Sequence, residues 1–564
     1  MNNPNVYIIE DKSTKLAESL GMKSIEFTEN LINDEAIDEW LDNAVFGLNP
    51  NITKLIIPVR MGNNDSEFIG LRIGLHIRLS KSLNDFRFIP LIFASVGESV
   101  EQIFRSQVEN QILLSALLLF TKGSRIVDFF DLENEIEVFN EVLSENSLKK
   151  DVFPKLIILN ERSLGHQLAN EWGVFRLAKF AGIKLLSAKL PADLYFKYQF
   201  AKTDMNIIPV GKSKTGLLTG TCNALLIDDY ANIGWNECIE HILKSNITQF
   251  KLKLETLITF DEAINYQDYE KADIVFLDLR LKPDEDKASE LLPIEELSGL
   301  KILRKIKSLN KGVQVIILTA SNKAWNMKKL LDEGADGYFI KESPEIPAMD
   351  QVSEANYENL VNSIKEAFER RYLKDIFIEM KNSQEKLETL KKANKYTTDF
   401  LDELKNQLDI SFEMHYHAKT KEQFAYAFIT LYMVIERINK EFLYSKGEKE
   451  SKEWFVGKDK LRNWEWRDRR YQIIEQTEFV VGNKPPEWKK TVGICKQLFK
   501  LNDADDRRIN PIYELINLRN YFIHNDDKIT SPKYEDTNQH TPKILTKVGF
   551  QELFQVIEEI IAFL

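Results

Sequence analysis

Short aliphatic and β-branched runs alternate with amphipathic helical stretches as far as about Lys341, and beyond that point strands disappear from the pattern. This alternation restricts the fold more than any other feature, because strands separated by helices return most simply as parallel neighbours in an α/β layer. The runs LIIPVR, PLIFAS, ALLIDD, IVFLDL and VIILTAS are the strands that define it. A chain of 564 residues with 43% hydrophobic content is too long for one core, so several globular units are expected. The pattern divides into an α/β domain over 1–148, an α/β extension over 149–200, a glycine-dotted polar linker over 201–221 and a second α/β domain over 222–350. A connecting helix over 351–408, without a clean heptad, and a helical domain over 409–564 complete it.

Charge and cysteine usage exclude several classes. A net charge of -12 argues against a chain coated in nucleic acid, leaving only a local basic groove as a possible contact. Cys222, Cys238 and Cys495 have neither paired spacing nor neighbouring histidines, so neither a disulfide frame nor a zinc site is indicated. The longest apolar run, Ile112 to Phe120, is far short of a membrane span, and the expected location is cytoplasmic, with no membrane partner.

Chemistry concentrates in the second α/β domain. ALLIDD ends a strand on Asp228 and Asp229, and IVFLDL carries Asp278 at the end of another. Carboxylates at the C-terminal ends of neighbouring parallel strands converge in the crevice where such sheets bind ligands, and three together invite a hard cation such as Mg2+. VIILTAS places Thr319 at the end of a third strand, and GYFIK places Lys341 at the end of a fourth. A metal and a lysine to neutralise transferring oxygens, with a hydroxyl to engage the product, are the parts that phosphoryl transfer to a carboxylate needs.

These motifs, in this order over 222–350, resemble the response-regulator receiver family of two-component signalling. The resemblance implies a flavodoxin-like parallel five-stranded sheet with Asp278 as phosphoacceptor. It also implies Mg2+ held by Asp228, Asp229 and Asp278, a switch formed by Thr319, Tyr338 and Lys341, and a histidine kinase or phosphotransfer protein as partner. Two departures stand out: a long loop, KPDEDKASELLPIEELS, after the acceptor, and Glu342 where the family usually has proline after its lysine.

The first domain reads as a degenerate copy. LIIPVR lies over VFLDLR, GLRIGLHIRL over GLKILRKIKS and PLIFAS over VIILTA, which puts Pro58 at the acceptor position and Ala94 at that of the threonine. Glu10, Asp11 and Lys122 are the charges that remain. Residues 1–148 are therefore expected to be a receiver-like domain unable to take phosphate, the alternative being a generic α/β domain. The segment KLIILNERSLGHQLANEWGVFRLAKFAGIKLL reads strand, helix, strand and should extend this sheet. Its His166 and Asn170 share a helix face, either as a polar site or as ordinary pairing within a packed helix.

After about Asp399, QFAYAFITLYMVIERINKEFL, NPIYELINLRNYFIH and GFQELFQVIEEIIAFL keep apolar residues at helical spacing, which suggests an all-α bundle. RNYFIH matches the Arg-x-x-x-x-His signature of HEPN domains, a helical family rich in metal-independent ribonucleases. That resemblance implies catalysis by Arg519, Asn520 and His524 with Glu436 in support, no metal at that site, and an RNA substrate cut through a 2',3'-cyclic phosphate. Residues five apart lie about 140° around a helix, so Arg519 and His524 do not share a face and a homodimer is expected to complete the groove. The opposing reading pairs Arg519 with Glu436 inside the bundle and makes His524 a helix-end cap. The whole then reads as a phosphorylation-regulated response regulator with an endoribonuclease output, suited to stress response or phage defence. The alternative is a non-catalytic regulator whose helical domain binds a protein or RNA.

Overall fold

The computed structural model of the protein describes residues 5–10, 16–28, 33–61, 68–97, 99, 102–103, 121–144, 165–185, 190–202, 218–248, 252–287, 293–320, 324–344, 350–447, 452–474, 485–503, 506–512, 515–516, 519 and 547–564. In the first domain β1 (Val6–Glu10), β2 (Lys23–Glu26), β3 (Lys54–Pro58), β4 (Leu91–Ser95) and β5 (Ser124–Asp128) are parallel in the order β2-β1-β3-β4-β5. Helices α1 (Leu16–Leu20), α2 (Asp34–Trp40), α3 (Ile69–Leu79) and α4 (Leu132–Val138) flank them. The second domain repeats the arrangement with β6 (Cys222–Ile227), β7 (Leu252–Leu257), β8 (Ile274–Asp278), β9 (Gln314–Thr319) and β10 (Gly337–Ile340), in the order β7-β6-β8-β9-β10. Its helices are α7 (Trp235–Asn246), α8 (Phe260–Asn265), α9 (Ser298–Leu309), α10 (Ala324–Asp332) and α11 (Asp350–Arg370). Both sheets have the expected flavodoxin-like order, and β8 and β9 are buried along their whole length because helices cover both faces.

The two sheets can be aligned by their hydrogen bonds. Val59 N donates to Ala94 O as Leu279 N donates to Leu318 O, and Gly70 meets Pro58 as Gly299 meets Asp278. A Cβ on Gly70 would lie 1.9 Å from Pro58 O, and one on Gly299 would lie 2.4 Å from Asp278 O, so both helices can start against their strands only with glycine there. Pro58 thus occupies the Asp278 position, as expected. The threonine position, however, falls on Ser95 and not Ala94, since Pro58 pairs with Ala94 where Asp278 pairs with Leu318. The lysine position falls on Phe129: Ser95 pairs with Asp128 as Thr319 pairs with Ile340, whereas Lys122 lies in the turn before β5.

The extension differs from expectation. Among the described residues it adds no strand; it forms two helices, α5 (Gly165–Ala181) and α6 (Leu194–Lys202), and Ile183–Leu185 take no strand pairing. KLIILN at 155–160 and most of the linker lie outside the described residues. One apolar cluster runs from the first domain through Trp172, Phe175, Phe196 and Phe200 into the second. A polar network fixes α6 to the first domain. Leu194 N donates to Asp34 Oδ2 at 2.9 Å, Lys197 binds Asp38, and His76 lies between Asp34 and Asp38 at 3.0 and 2.9 Å. Burial would raise the Asp34 carboxyl, but His76, Arg72 and the Leu194 amide outweigh it and hold it well below the usual range.

The expected single connecting helix is three helices. α11 packs on β9 and β10 and completes the second domain, while α12 (Leu373–Lys392) and α13 (Thr398–His417) belong to the C-terminal core. The break after α12 is set by Asn394, which adopts a left-handed conformation (φ 50°) that ends a helix. α14 (Lys421–Phe442), α15 (Glu487–Gly493) and α16 (Lys547–Phe563) extend this core. The region is also not all-α. Between α14 and α15 the chain forms β11 (Leu443–Lys446), β12 (Glu453–Val456) and β13 (Asp459–Lys460) in one antiparallel sheet, and β14 (Trp464–Arg467) with β15 (Arg470–Ile473) in a hairpin. Alternation of aromatic and charged side chains in Trp464–Arg467 favours a strand, and Asp468 and Arg469 (φ 50° and 65°) make the two-residue turn that strand twist prefers.

At the centre of the helical core, His415 is fully buried. Its Nε2 shares a 2.6 Å hydrogen bond with the Tyr372 hydroxyl, its ring stacks on Phe550 at 3.9 Å, and its Nδ1 has no partner among the described residues. Burial, with Arg370 nearby, pushes its pKa down to about 3. The unfolded chain therefore binds the proton first as pH falls. This contribution to stability is intact above the ordinary histidine value of about 6.5 and is lost progressively between there and about pH 3. Unfolding free energies from denaturant titrations between pH 7 and pH 4 should fall more steeply in the native protein than in His415→Phe, by about 1.4 kcal/mol per pH unit below about pH 6.5. Parallel curves would show that His415 does not titrate as placed.

Candidate functional site

The site lies where the strand order of the second sheet reverses, between β6 and β8, at the C-terminal ends of the strands. Asp228 follows β6 and its backbone N–H donates to Leu257 O at 3.1 Å, while Asp278 ends β8 and Lys341 follows β10. The backbone N–H of Lys341 donates to Thr319 O at 2.7 Å, so β9 sets the lysine's height. Its Nζ donates to Asp228 Oδ2 at 2.9 Å and to Asp278 Oδ2 at 2.8 Å. The Leu279 amide donates to Asp278 Oδ1 at 2.6 Å and the Tyr230 amide to Asp228 Oδ1 at 2.8 Å. Both carboxylates and the ammonium are sealed from solvent.

Electrostatics follow from that enclosure. Burial pushes the Asp228 carboxyl up; the lysine pulls against this and the charge of Asp278 adds to it. Burial also opposes the Lys341 ammonium, but the charges of Asp228 and Asp278 outweigh it and hold its pKa above the ordinary lysine value. Asp229, half-buried, brings a third carboxylate: one oxygen from each of Asp228, Asp229 and Asp278 lies within 4.8 Å of the others. Three hard oxygen donors around excess negative charge fit a divalent cation such as Mg2+, which would neutralise phosphoryl oxygens there.

The comparisons with known proteins agree with this geometry. Residues 5–127 match the family described as Inactive Receiver domain, and residues 225–350 match Response regulator receiver domain. The chain contains two receiver domains. No curated protein matches the chain. Among solved structures, a CheY-like response regulator receiver domain protein from Methanospirillum hungatei is 18% identical, covering 27% of this chain and 97% of its own, with a TM-score of 0.18. The CheX-CheY-BeF3-Mg+2 complex from Borrelia burgdorferi is 21% identical, covering 25% and 88%, with a TM-score of 0.18. The inactive-type match fits a first domain that carries Pro58 and Phe129 where the second carries Asp278 and Lys341. Receiver domains typically bind Mg2+ and take part with histidine kinases or phosphotransfer proteins.

Of the residues singled out in the sequence, the second receiver brings together Asp228, Asp229, Asp278 and Lys341, with Thr319 buried at the end of the adjacent strand. Tyr338 is on β10 with 40% of its surface exposed. The long loop folds back near its start: Glu285 accepts from both the backbone and the hydroxyl of Ser298, at 2.8 and 2.7 Å. In the helical domain Arg519 binds Glu436 at 2.6 Å; Asn520 and His524 lie outside the described residues.

Sequence reading missed a second set of residues around the lysine. Asn170 of α5 accepts a hydrogen bond from Lys341 Nζ, and Trp235 at the start of α7 places its ring 4.9 Å from the same nitrogen. Arg176 of α5 binds Glu342 at 3.1 Å, which gives the glutamate that replaces proline a structural task. The signals for these were Asn170 sharing a helix face with His166 and the glutamate that follows the lysine.

Calorimetric titration with Mg2+ should show one site per chain, and Asp229→Asn should weaken it on the order of tenfold, about 1.4 kcal/mol. Equal affinities in the two proteins would remove Asp229 from the cation site.

Proposed function

We propose that the protein is a phosphorylation-controlled signalling protein in which Asp278 accepts a phosphoryl group from a histidine kinase or phosphotransfer protein. The observation that carries this is the convergence of three carboxylates and a buried lysine at the strand ends of a domain matching the response-regulator receiver family. In the transfer, an Asp278 carboxylate oxygen attacks phosphorus, the donor's bond to phosphorus breaks, and Lys341 stabilises charge on the equatorial oxygens. Asp228, Asp229 and Asp278 would hold a cation that neutralises the phosphoryl oxygens, and Thr319 and Tyr338 would read the product. Intact mass spectrometry after treatment with acetyl phosphate and Mg2+ should show one added phosphoryl group, absent in Asp278→Asn. Uptake by Asp278→Asn at the native level would refute the assignment.

For the output we carry the reading of a HEPN-like, metal-independent endoribonuclease, working as a homodimer on RNA in stress response or phage defence. Support comes from Arg519, which is part-exposed and held at 2.6 Å by Glu436 from α14, an arrangement that positions a guanidinium for a phosphorane while leaving it reachable. Asn520 and His524 complete the site in this reading. The same ion pair also suits a non-catalytic domain that binds a partner. The two separate on total RNA incubated with phosphorylated protein and then EDTA. Cleavage that leaves cyclic phosphate ends and is lost in His524→Ala supports the ribonuclease, and intact RNA under every condition supports the binding module.

A further inference from the structure

The ammonium of Lys341 has three N–H donors, and all three are used: by Asp228 Oδ2, by Asp278 Oδ2 and by the amide oxygen of Asn170, which lies 171 residues earlier in the chain. Asn170 is itself completely buried. Its helix α5 is seated by several further contacts. Gly173 lets it approach closely: a Cβ there would stand 3.2 Å from the Trp235 ring and 3.3 Å from the Glu342 backbone nitrogen. Arg176 binds Glu342 and Ser353, and Ser353 donates to Glu342 Oε2 at 2.7 Å, which ties α5 to the start of α11.

Lys341 can engage an incoming phosphoryl oxygen only by releasing one of its three partners. The two carboxylates hold it by charge as well as by hydrogen bonds, whereas Asn170 holds it through one bond to a neutral acceptor, so Asn170 is the partner that yields. A buried amide on a packed helix yields by moving with that helix. We propose that α5 is an internal lid on the acceptor site, with the Asn170 oxygen in the place of a phosphoryl oxygen. Phosphorylation of Asp278 and full seating of α5 then exclude one another. The far side of α5 packs on α6, where Trp172 meets Phe196 at 5.6 Å and Phe200 at 6.3 Å, and α6 is fixed to the inactive-type receiver through Asp34 and Asp38. Withdrawal of α5 therefore pulls on the first receiver. This inference rests on the reading of Asp278 as phosphoacceptor.

The test uses the full chain with acetyl phosphate and Mg2+. Asn170→Ala removes the bond to Lys341, and Gly173→Leu wedges α5 away from Trp235. Both should take up phosphate about tenfold faster than the native protein, the effect of losing one hydrogen bond to a charged group. In the native protein, hydrogen exchange over residues 165–181 should rise when beryllofluoride and Mg2+ are added. Uptake at the native rate in both variants, with exchange unchanged by beryllofluoride, overturns the lid while leaving the acceptor reading intact. No uptake by the native protein or either variant overturns the acceptor reading, and the lid with it.

Discussion

One lysine ammonium held between two carboxylates, with all three groups removed from water, is the constraint around which the second receiver is arranged. Taking three charges out of solvent is costly, and the mutual attraction offsets the cost only when geometry and additional hydrogen bonds are good. The sheet supplies both. β6, β8 and β10 deliver Asp228, Asp278 and Lys341 to the same edge, and the amides of Tyr230 and Leu279 bind the remaining carboxylate oxygens. The triad still carries one uncompensated negative charge, and Asp229 adds another at its rim. That excess would be a defect in a site built for stability alone. It suits a site that waits for a cation and a phosphoryl group.

The first receiver shows that the fold does not need these charges. It keeps the strand order, the parallel registers and the glycine that lets a helix start against the third strand, yet it has Pro58 and Phe129 where Asp278 and Lys341 stand. Its buried charges are used elsewhere. Asp34, Asp38 and His76 lie on α2 and α3, and they hold α6 through Lys197 and the Leu194 amide. The inactive-type domain thus serves as a mount for the helices that reach the second receiver.

What the sequence made legible follows from the range of each interaction. Asp228, Asp229, Asp278, Thr319 and Lys341 were readable because each ends or directly follows one of four apolar strands, a local pattern that a parallel sheet turns into proximity. The threonine position was read at Ala94 instead of Ser95 because the register of β4 depends on pairing across the sheet, and a one-residue shift leaves the apolar pattern of a doubly buried strand unchanged; Lys122 was kept although the pairing of β5 puts Phe129 at the lysine position. Asn170 was readable as a candidate polar residue beside His166 but not as a partner of Lys341, since nothing within its own helix encodes a partner 171 residues away. The trace it left was indirect: Glu342 in place of proline and a glycine within a helix. The β11–β15 insertion was hidden for another reason, its charged side chains masking a two-residue alternation among the tryptophans.

The site and the helical domain hold the second receiver at opposite ends. Asn170 and Arg176 grip the C-terminal edge of its sheet, whereas the helical domain grips the other edge: Lys374 binds Asp273 just before β8, Tyr416 donates to Asp336 just before β10, and Gly312 packs against the Leu373 backbone. A change at Asp278 must therefore cross the length of the domain to be felt by α12 and α13. α11 spans that length, at about 1.5 Å per residue over its 21 residues. Its first turn carries Ser353, bound to Arg176 and Glu342 next to Lys341, and its last residue, Arg370, donates to the Tyr416 carbonyl at the end of α13. Helices transmit displacement along their axes with little loss because their internal hydrogen bonds resist stretching. The helix expected to be a spacer is accordingly the element that touches both α5 and the helical domain, and releasing α5 would change the forces on one end of a rod whose other end is bonded to the helical core.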